Sequence, residues 1–115
     1  MKINLVFLTI LLCGGFLITG CEKSNGTIYQ VREECQDGGC KGRFGAWYIK
    51  NTSYDKTIRF IIQVKEIDAS GKENLDTLDE TLDPGEFDFI GCMERDCGLG
   101  WVSVSYNIVG EQIQQ

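Results

Sequence analysis

Apolar and polar residues alternate along much of the chain, and this alternation predicts β-strands. The clearest run buries every second residue on one face: Val102, Val104, Tyr106 and Ile108. A second run has the same period: Ile58, Phe60, Ile62 and Val64. A period of two is the spacing at which strand residues share a face. Ile61 and Ile67 lie on the other face of the second run, which favours a central strand covered in part on both sides.

Shorter strands are predicted over residues 27–34, 43–50 and 86–92. Residues 75–82 have leucines at helical spacing, but their threonines and the tight turn that follows favour a strand. That turn, Asp83-Pro84-Gly85-Glu86, has the proline and glycine positions of a type II turn. Six or seven short strands joined by hairpin-length turns predict an all-β fold, a small antiparallel immunoglobulin-like β-sandwich that follows a cleaved signal helix.

The first twenty residues have the character of a cleaved signal segment. Residues 3–18 form an almost unbroken apolar run, which is too short to span a hydrocarbon core of about 30 Å. The string Ile18-Thr19-Gly20-Cys21 at its end resembles the lipobox of bacterial lipoproteins. The resemblance implies cleavage before Cys21 and lipidation of that cysteine. The expected organisation is a signal peptide over 1–20, a lipidated cysteine and short tether over 21–26, and a β-sandwich domain over 27–115.

Lipidation predicts where the protein works. Several acyl chains on Cys21 would give stable membrane anchoring, where one chain would be marginal. The five tether residues reach about 17 Å when extended, so the domain would sit close to the membrane surface. Glu22 stands where some lipoproteins carry an aspartate that retains them in the inner membrane. The expected location is therefore the cell envelope, with the outer membrane favoured over the inner, facing the periplasm or the cell surface.

The mature part resembles a second, more general type. Residues 51–53, 58–64, 82–86, 90–92 and 106–110 follow a course similar to a small β-sandwich module found in secreted proteins and lipoproteins of some anaerobic Gram-negative bacteria. The most specific piece is the Pro84-Gly85-Glu86 turn leading to Gly91-Cys92. The resemblance implies fold and location only, because no catalytic residues come with it.

Composition excludes several function classes. The chain contains no histidine, so it has no Ser-His or Cys-His nucleophile pair and no histidine metal ligand. Its formal net charge is −6, and loss of Lys2 with the signal segment leaves −7. A body this acidic lacks the basic footprint of a nucleic-acid-binding protein. No serine lies in a nucleophile elbow, and we expect no catalytic residue, no cofactor and no metal.

Four cysteines remain once the signal segment and the lipidated residue are set aside: Cys35, Cys40, Cys92 and Cys97. An even number in an exported domain predicts two disulfides with three connectivities open. In an up-and-down meander both cysteine pairs would lie at the same end, which allows cross-loop bridges. Local bridges, Cys35–Cys40 and Cys92–Cys97, are slightly favoured because facing hairpin positions have a suitable Cα separation. Zinc binding and redox catalysis are the less favoured alternatives, since neither pair has the usual spacing.

Residues 73–88 carry seven acids and no lysine or arginine. A calcium site or a docking face for a basic partner is one interpretation. The favoured interpretation is a solvated strand edge that discourages association with other strands. Within this run Asp76-Thr77-Leu78 resembles the acceptor motif for O-glycosylation in exported proteins of the same bacteria, which makes Thr77 a candidate modification site.

Four aromatic residues adjoin the cysteines and form the candidate binding surface: Phe44, Trp47, Tyr48 and Trp101. Large aromatics in a small domain more often pack in the core than bind partners. The functional hypothesis is a non-enzymatic envelope module that binds a protein partner through its disulfide-bearing end, as an accessory subunit, an inhibitor or an immunity-type protein. The alternatives are a glycan-binding module that uses exposed aromatics, with a weakly hydrolytic variant, and a structural spacer.

Overall fold

A computed structural model describes residues 24–114, and the signal segment and Cys21 lie outside the described residues. This part of the chain is all-β and has seven strands. In chain order they are β1 (Gly26–Val31), β2 (Gln36–Asp37), β3 (Cys40–Asn51), β4 (Ile58–Ile67), β5 (Glu73–Leu82), β6 (Phe87–Asp96) and β7 (Trp101–Ile113). The expectation of an all-β antiparallel fold with six or seven strands is confirmed.

The six strands predicted from the alternation are all present, and the ambiguous leucine segment is the strand β5. Its alternation is visible in the fold, since Leu78 and Leu82 face the core while Thr77 and Thr81 face solvent. The two-residue strand β2 has no apolar pattern and could not be read from the sequence. It forms because the chain reverses through Gly38, which has a φ of +61°. Glycine reaches that conformation without steric cost.

The strands follow the order β1-β3-β6-β7-β4-β5, with β2 paired to β3. The expected meander is therefore wrong, because the chain crosses over from β3 to β4 and back from β5 to β6. Pairing between β6 and β7 covers only Glu94–Asp96 against Trp101–Ser103. On either side of this short hairpin the sheet divides into β1-β3-β6 and β7-β4-β5. The two parts pack face to face, which gives the sandwich-like arrangement.

The core lies between these two parts. Its fully buried residues come from both: Ile49 from β3, and Ile58, Phe60, Ile62 and Leu82 from β4 and β5. Every second residue of β4 is buried, as predicted. The other face of β4 is not covered as expected, since Ile61 is half-buried and Ile67 is exposed. No second layer lies over that face among the described residues, so β4 is central within its sheet but covered on one side.

One buried polar residue fixes the end of the sandwich opposite the cysteines. Asn51 is fully buried, and its side-chain amide donates to the carbonyls of Lys56 and Leu82 at 2.8 and 2.9 Å. The Asn51 backbone carbonyl accepts a hydrogen bond from the Gly85 N–H, and the Asn51 backbone N–H donates to the Glu86 carbonyl. Both partners belong to the predicted Pro-Gly turn. Gly85 has a φ of +76° and Glu86 donates to Asp83, which confirms the turn. Because all these groups are paired, Asn51 ties the β3–β4 connection to the β5–β6 turn, and its hydrogen bonds offset the cost of burying its amide.

Candidate functional site

Two disulfides join the first cysteine pair to the second: Cys35–Cys92 and Cys40–Cys97. The predicted disulfides are confirmed, and the favoured local pairing is wrong. Register explains the difference. In the β3–β6 ladder Lys41 is opposite Asp96, so the next residue along, Cys40, faces Cys97 with Cα atoms 4.3 Å apart.

Local pairing is wrong because the two cysteines of each pair that is close in sequence do not lie opposite each other. In the β2–β3 hairpin Asp37 is opposite Cys40, which places Cys35 beside Gly42 instead. Cys92 lies inside β6 and Cys97 directly follows that strand. Five residues of extended chain span about 17 Å, far beyond the 7 Å limit for a disulfide. The spacing of the cysteines suggested that each pair lies in a loop, but Cys92 lies within β6 and Cys97 follows that strand directly.

Gly42 makes room for this cross-linking. A Cβ atom at this position would overlap the Cys92 sulfur and stand 2.6 Å from the carbonyl oxygen of Cys35. Only glycine therefore lets β3 pass beneath the Cys35–Cys92 bridge. The two bridges and this close approach clamp the segment after β1 onto β6, and the same end of the sandwich carries the candidate site.

An open groove of about 1270 Å³ lies at this disulfide-bearing end, and we call it the loop-end groove. The lining residues that matter here are Arg32, Lys41, Arg43, Phe44, Met93 and Trp101. The guanidinium of Arg43 lies 4.0 Å from the ring centroid of Trp101 and 4.9 Å from that of Phe44. Arg43 also donates to Glu94 at 2.8 Å. Its position is thus held on three sides, and it joins the two aromatic residues into one stack.

Phe44 is the most unusual residue of the groove. It is 65% exposed, and it is the non-glycine residue among those described that has a positive φ, at +72°. This left-handed conformation lies in a β-bulge, where the β3–β6 register shifts between Arg43 and Ala46. Such a conformation costs about 1–2 kcal/mol for a residue with a side chain. The fold therefore bears a strained backbone in order to direct a large apolar ring into solvent.

Side chains of both charges line the groove, with Arg32, Lys41 and Arg43 beside Glu33 and Glu34. Within residues 24–114 Arg32 and Lys41 have no carboxylate within ion-pair distance, whereas the other arginines are paired. Glu33, which also borders the groove, accepts a hydrogen bond from the Tyr48 hydroxyl at 2.8 Å. The groove thus combines two aromatic rings with side chains of both charges.

The β6–β7 hairpin presents a further apolar side chain at this end. Leu99 is fully exposed at its tip. The Asp96 carboxylate accepts hydrogen bonds from the backbone N–H groups of Gly98 and Gly100 at 2.8 and 3.2 Å. These bonds hold the pKa of Asp96 below its usual range. The Asp96 side chain therefore ties the tip that carries Leu99 to the end of β6.

The other two aromatic residues of the predicted surface do not reach the groove. Trp47 points between the two sheets, where its indole N–H donates to the carbonyl of Val104 at 2.8 Å and its ring packs edge-on against Tyr106. Tyr48 points to the opposite face. There it belongs to an aromatic ladder across β1, β3 and β6, made of Tyr29, Tyr48, Phe87 and Phe89. The structure brings together Phe44 and Trp101 and separates Trp47 and Tyr48 from them.

The acidic stretch forms the edge strand β5 and the turn after it, as the favoured interpretation expects. Two of its acids are paired, Asp79 with Arg59 and Glu73 with Lys65. No group of three acids in residues 24–114 is arranged to hold a metal ion. Thr77 is exposed on this edge, and its O-glycosylation stays a prediction.

One acid of the stretch faces inward. Glu80 lies opposite Phe60 in the β4–β5 ladder and contacts Asp88 of the other sheet. Burial, followed by the hydrogen bond to Asp88, raises the pKa of Glu80 to about 7. The Glu80 carboxyl therefore holds a proton below about pH 7.

No helix within residues 24–114 is both long and apolar enough to cross a membrane. No protein-family model matches the chain, and neither a curated protein nor a solved structure matches it. The site is therefore interpreted from its own geometry.

Sequence reasoning missed Arg43, Leu99, Arg32 and Lys41 as parts of the site. Arg43 directly precedes an aromatic residue within a predicted strand, and that signal is too common to single it out. Leu99 sits between two glycines, Gly98 and Gly100, and an apolar residue flanked by glycines in a polar hairpin was a usable signal.

Proposed function

We propose that this protein is a membrane-anchored envelope lipoprotein that acts as a non-enzymatic binding module and takes a protein partner at the loop-end groove. The observation that carries the proposal is the stack of exposed Phe44 and Arg43 with half-buried Trp101 on a disulfide-clamped strand end. Aromatic residues and arginine are the side chains that most often dominate protein–protein binding energy. Here they lie close together, with Phe44 and Arg43 exposed and Trp101 half-buried, and Arg43 is held by Glu94 before any partner arrives.

Rigidity is the second support. Ordering a mobile side chain on binding costs about 0.5–1.5 kcal/mol, and a pre-positioned one avoids that cost. Arg43 is held by Glu94 and Trp101, and the backbone of Phe44 is held by the bulge between the two disulfides. A strained backbone that exposes an apolar ring has no evident benefit to folding, so binding is the reason we assign to it.

The geometry also fits anchoring at Cys21. β1 starts at Gly26, opposite Asn51, which is the end of the sandwich far from the disulfides. A lipid on Cys21 would therefore hold that far end near the membrane. The anchoring itself rests on the lipobox resemblance of residues 18–21.

The glycan-binding alternative has less support. Sugars stack on open aromatic faces, but the half-buried Trp47 ring packs edge-on against Tyr106 and one face of Trp101 is covered by Arg43. A glycosidase needs two separated carboxyls around the scissile bond. Glu80 and Asp88 are instead in direct hydrogen-bond contact, which leaves no gap for a sugar.

Crosslinking and capture of the full-length, lipid-anchored protein from its own envelope tests the proposal. The decisive variants are Phe44→Ala and Arg43→Ala. We expect one or two partners that are enriched reproducibly with the wild type and reduced at least tenfold with either variant.

Tyr54→Ala is the matched control. Tyr54 is 92% exposed but lies in the β3–β4 connection at the opposite end, so its loss should leave capture unchanged. Cys21→Ala should release the protein from the membrane without altering the groove. A partner retained equally by wild type and both groove variants would refute the assigned site, and binding of a glycan array in place of any protein would favour the alternative.

A further inference from the structure

The two edges of the sheet differ in charge. β5, at one edge, is strongly acidic. β1, at the other edge, reads Gly-Thr-Ile-Tyr-Gln-Val and carries neither charge nor proline. Natural proteins usually protect edge strands with charge, proline or a bulge, because an unprotected edge pairs readily with another strand. β1 is the edge of this sheet that lacks such protection.

The direction of the β1 backbone groups follows from one hydrogen bond. Thr52 donates its N–H to the carbonyl of Asn25 at 2.8 Å, so residue 25 bonds toward β3. In an antiparallel ladder this direction alternates, so Gly26, Ile28 and Gln30 direct their backbone groups away from β3. The Ser24 hydroxyl already bonds to both backbone groups of Gly26 at 3.1 Å. Ile28 and Gln30 remain, and no strand within residues 24–114 pairs with them.

The aromatic ladder on the outer face ends at this edge. Tyr29 stacks on Tyr48 with ring centroids 5.8 Å apart and planes 20° from parallel. Tyr48 in turn packs against Phe89 on the far side of β3. The side of Tyr29 away from Tyr48 faces the open edge of β1, where another ring could continue the ladder.

We propose that β1 pairs antiparallel with β1 of a second copy of this chain. Because Ser24 occupies Gly26, Ile28 and Gln30 are the residues left to exchange hydrogen bonds, and the register that uses both places Ile28 opposite Gln30 of the partner subunit and Tyr29 opposite Tyr29 of the partner subunit. This arrangement is a two-fold interface, in which the same patch serves both copies. It extends the three-stranded part of each sandwich into one six-stranded sheet.

Charge complementarity at both ends favours a second copy as the occupant. In this register the partner's Arg32, which follows β1 directly, comes level with Gly26, whose outward backbone groups stay bonded to Ser24 and form no ladder hydrogen bond. Beside Gly26, the Glu111 carboxylate of β7 accepts a hydrogen bond from the Asn25 N–H at 3.2 Å. Each Arg32 therefore approaches the other copy's Glu111 and finds a carboxylate there. A parallel arrangement would place like charges together at each end.

Cysteine crosslinking of the full chain in its membrane tests the register. Tyr29 occupies a pair that does not exchange hydrogen bonds, where Cα atoms stand about 4.5 Å apart and a disulfide fits. Tyr29→Cys should give a disulfide-linked dimer under mild oxidation. Thr27→Cys is the matched control on the same strand and face, because two Thr27 residues would stand about 13 Å apart. Thr77→Cys on the β5 edge is the second control, and intact mass checks that both native disulfides remain.

Exchanging the charges of Arg32 and Glu111 tests the ionic contacts expected at both ends of the β1–β1 pair. In the Tyr29→Cys background, Arg32→Glu alone and Glu111→Arg alone should each reduce the dimer yield at least threefold, and the two together should restore it. Absence of a Tyr29→Cys dimer, or equal yields from Thr27→Cys and Tyr29→Cys, would overturn the proposal. Equal yields from all four charge combinations would overturn the antiparallel register.

Discussion

Replacing Cys40 and Cys97 together by alanine removes one bridge and leaves the Cys35–Cys92 bridge in place. Both bridges close segments with a sequence separation of 57, but they are not independent constraints. With Cys35–Cys92 intact, residues 40 and 97 are still connected in the unfolded chain by a path of five residues on each side of the remaining bridge.

The expected cost follows from this shared path. Closing a loop of about ten residues removes unfolded-chain entropy worth about 3 kcal/mol, so the double variant should lose about that much stability. Removing the second bridge as well opens the long loop, whose closure is worth about 4 kcal/mol more. A domain of this size has a total stability of about 5–15 kcal/mol, so the variant without both bridges should be largely unfolded.

Urea unfolding of the purified protein measures the energies, and peptide mapping measures the pairing directly. Cleavage before aspartate separates all four cysteines, because Asp37 and Asp96 each lie between the two cysteines of a pair. Without reductant, the peptide 37–54 should remain linked to 96–115, and the peptide ending at residue 36 should remain linked to 88–95.

Local bridges would give the opposite map, with the peptide ending at residue 36 linked to 37–54. In that arrangement each bridge closes five residues and contributes about 2 kcal/mol. A local map, or a loss below about 1 kcal/mol for the Cys40 and Cys97 double variant, would refute the cross-strand register on which the site is built.

Three further perturbations follow from the same structure. Gly42→Ala should destabilise the fold by about 1–3 kcal/mol because its Cβ overlaps the Cys35–Cys92 bridge, whereas Gly39→Ala, with nothing within 4 Å, should change the urea midpoint little. Phe44→Gly should leave stability unchanged or raise it by up to about 1 kcal/mol, because glycine adopts the positive φ without strain. The same variant should lose partner capture. Reduced stability with capture intact would contradict the role given to Phe44. Glu80 has a pKa of about 7 in the fold, against an ordinary value of 4.5, so the folded state binds more protons between these values and stability should fall as the pH rises from 5 to 8. Glu80→Gln should flatten this dependence, and an unchanged slope would show that the proton is not held there.

The strands and the Pro-Gly turn could be predicted because each has a local signal. Alternation over residues 58–64 and 102–108 needs only one buried face, and the turn needs only its proline and glycine. The disulfide pairing could not be predicted, because it depends on the β3–β6 register and on a β-bulge at Phe44 that no local pattern encodes. The site could be predicted only in part, because it too depends on the β3–β6 register. The residues near the cysteines were identified, but their division among groove, interior and outer face depends on strand direction and on that bulge.

The position of β1 has a mechanical consequence. Force applied between residue 24 and the loop-end groove runs along the β1 strand, whose six residues pair with Ala46–Asn51 of β3. The hydrogen bonds between these strands then share the load and must yield together, whereas a perpendicular pull would open them one at a time. Contacts of Ser24 and Asn25 with Glu111 carry part of the same load into β7. A domain built in this way would resist tension between a surface that holds residue 24 and a partner that pulls on the loop-end groove.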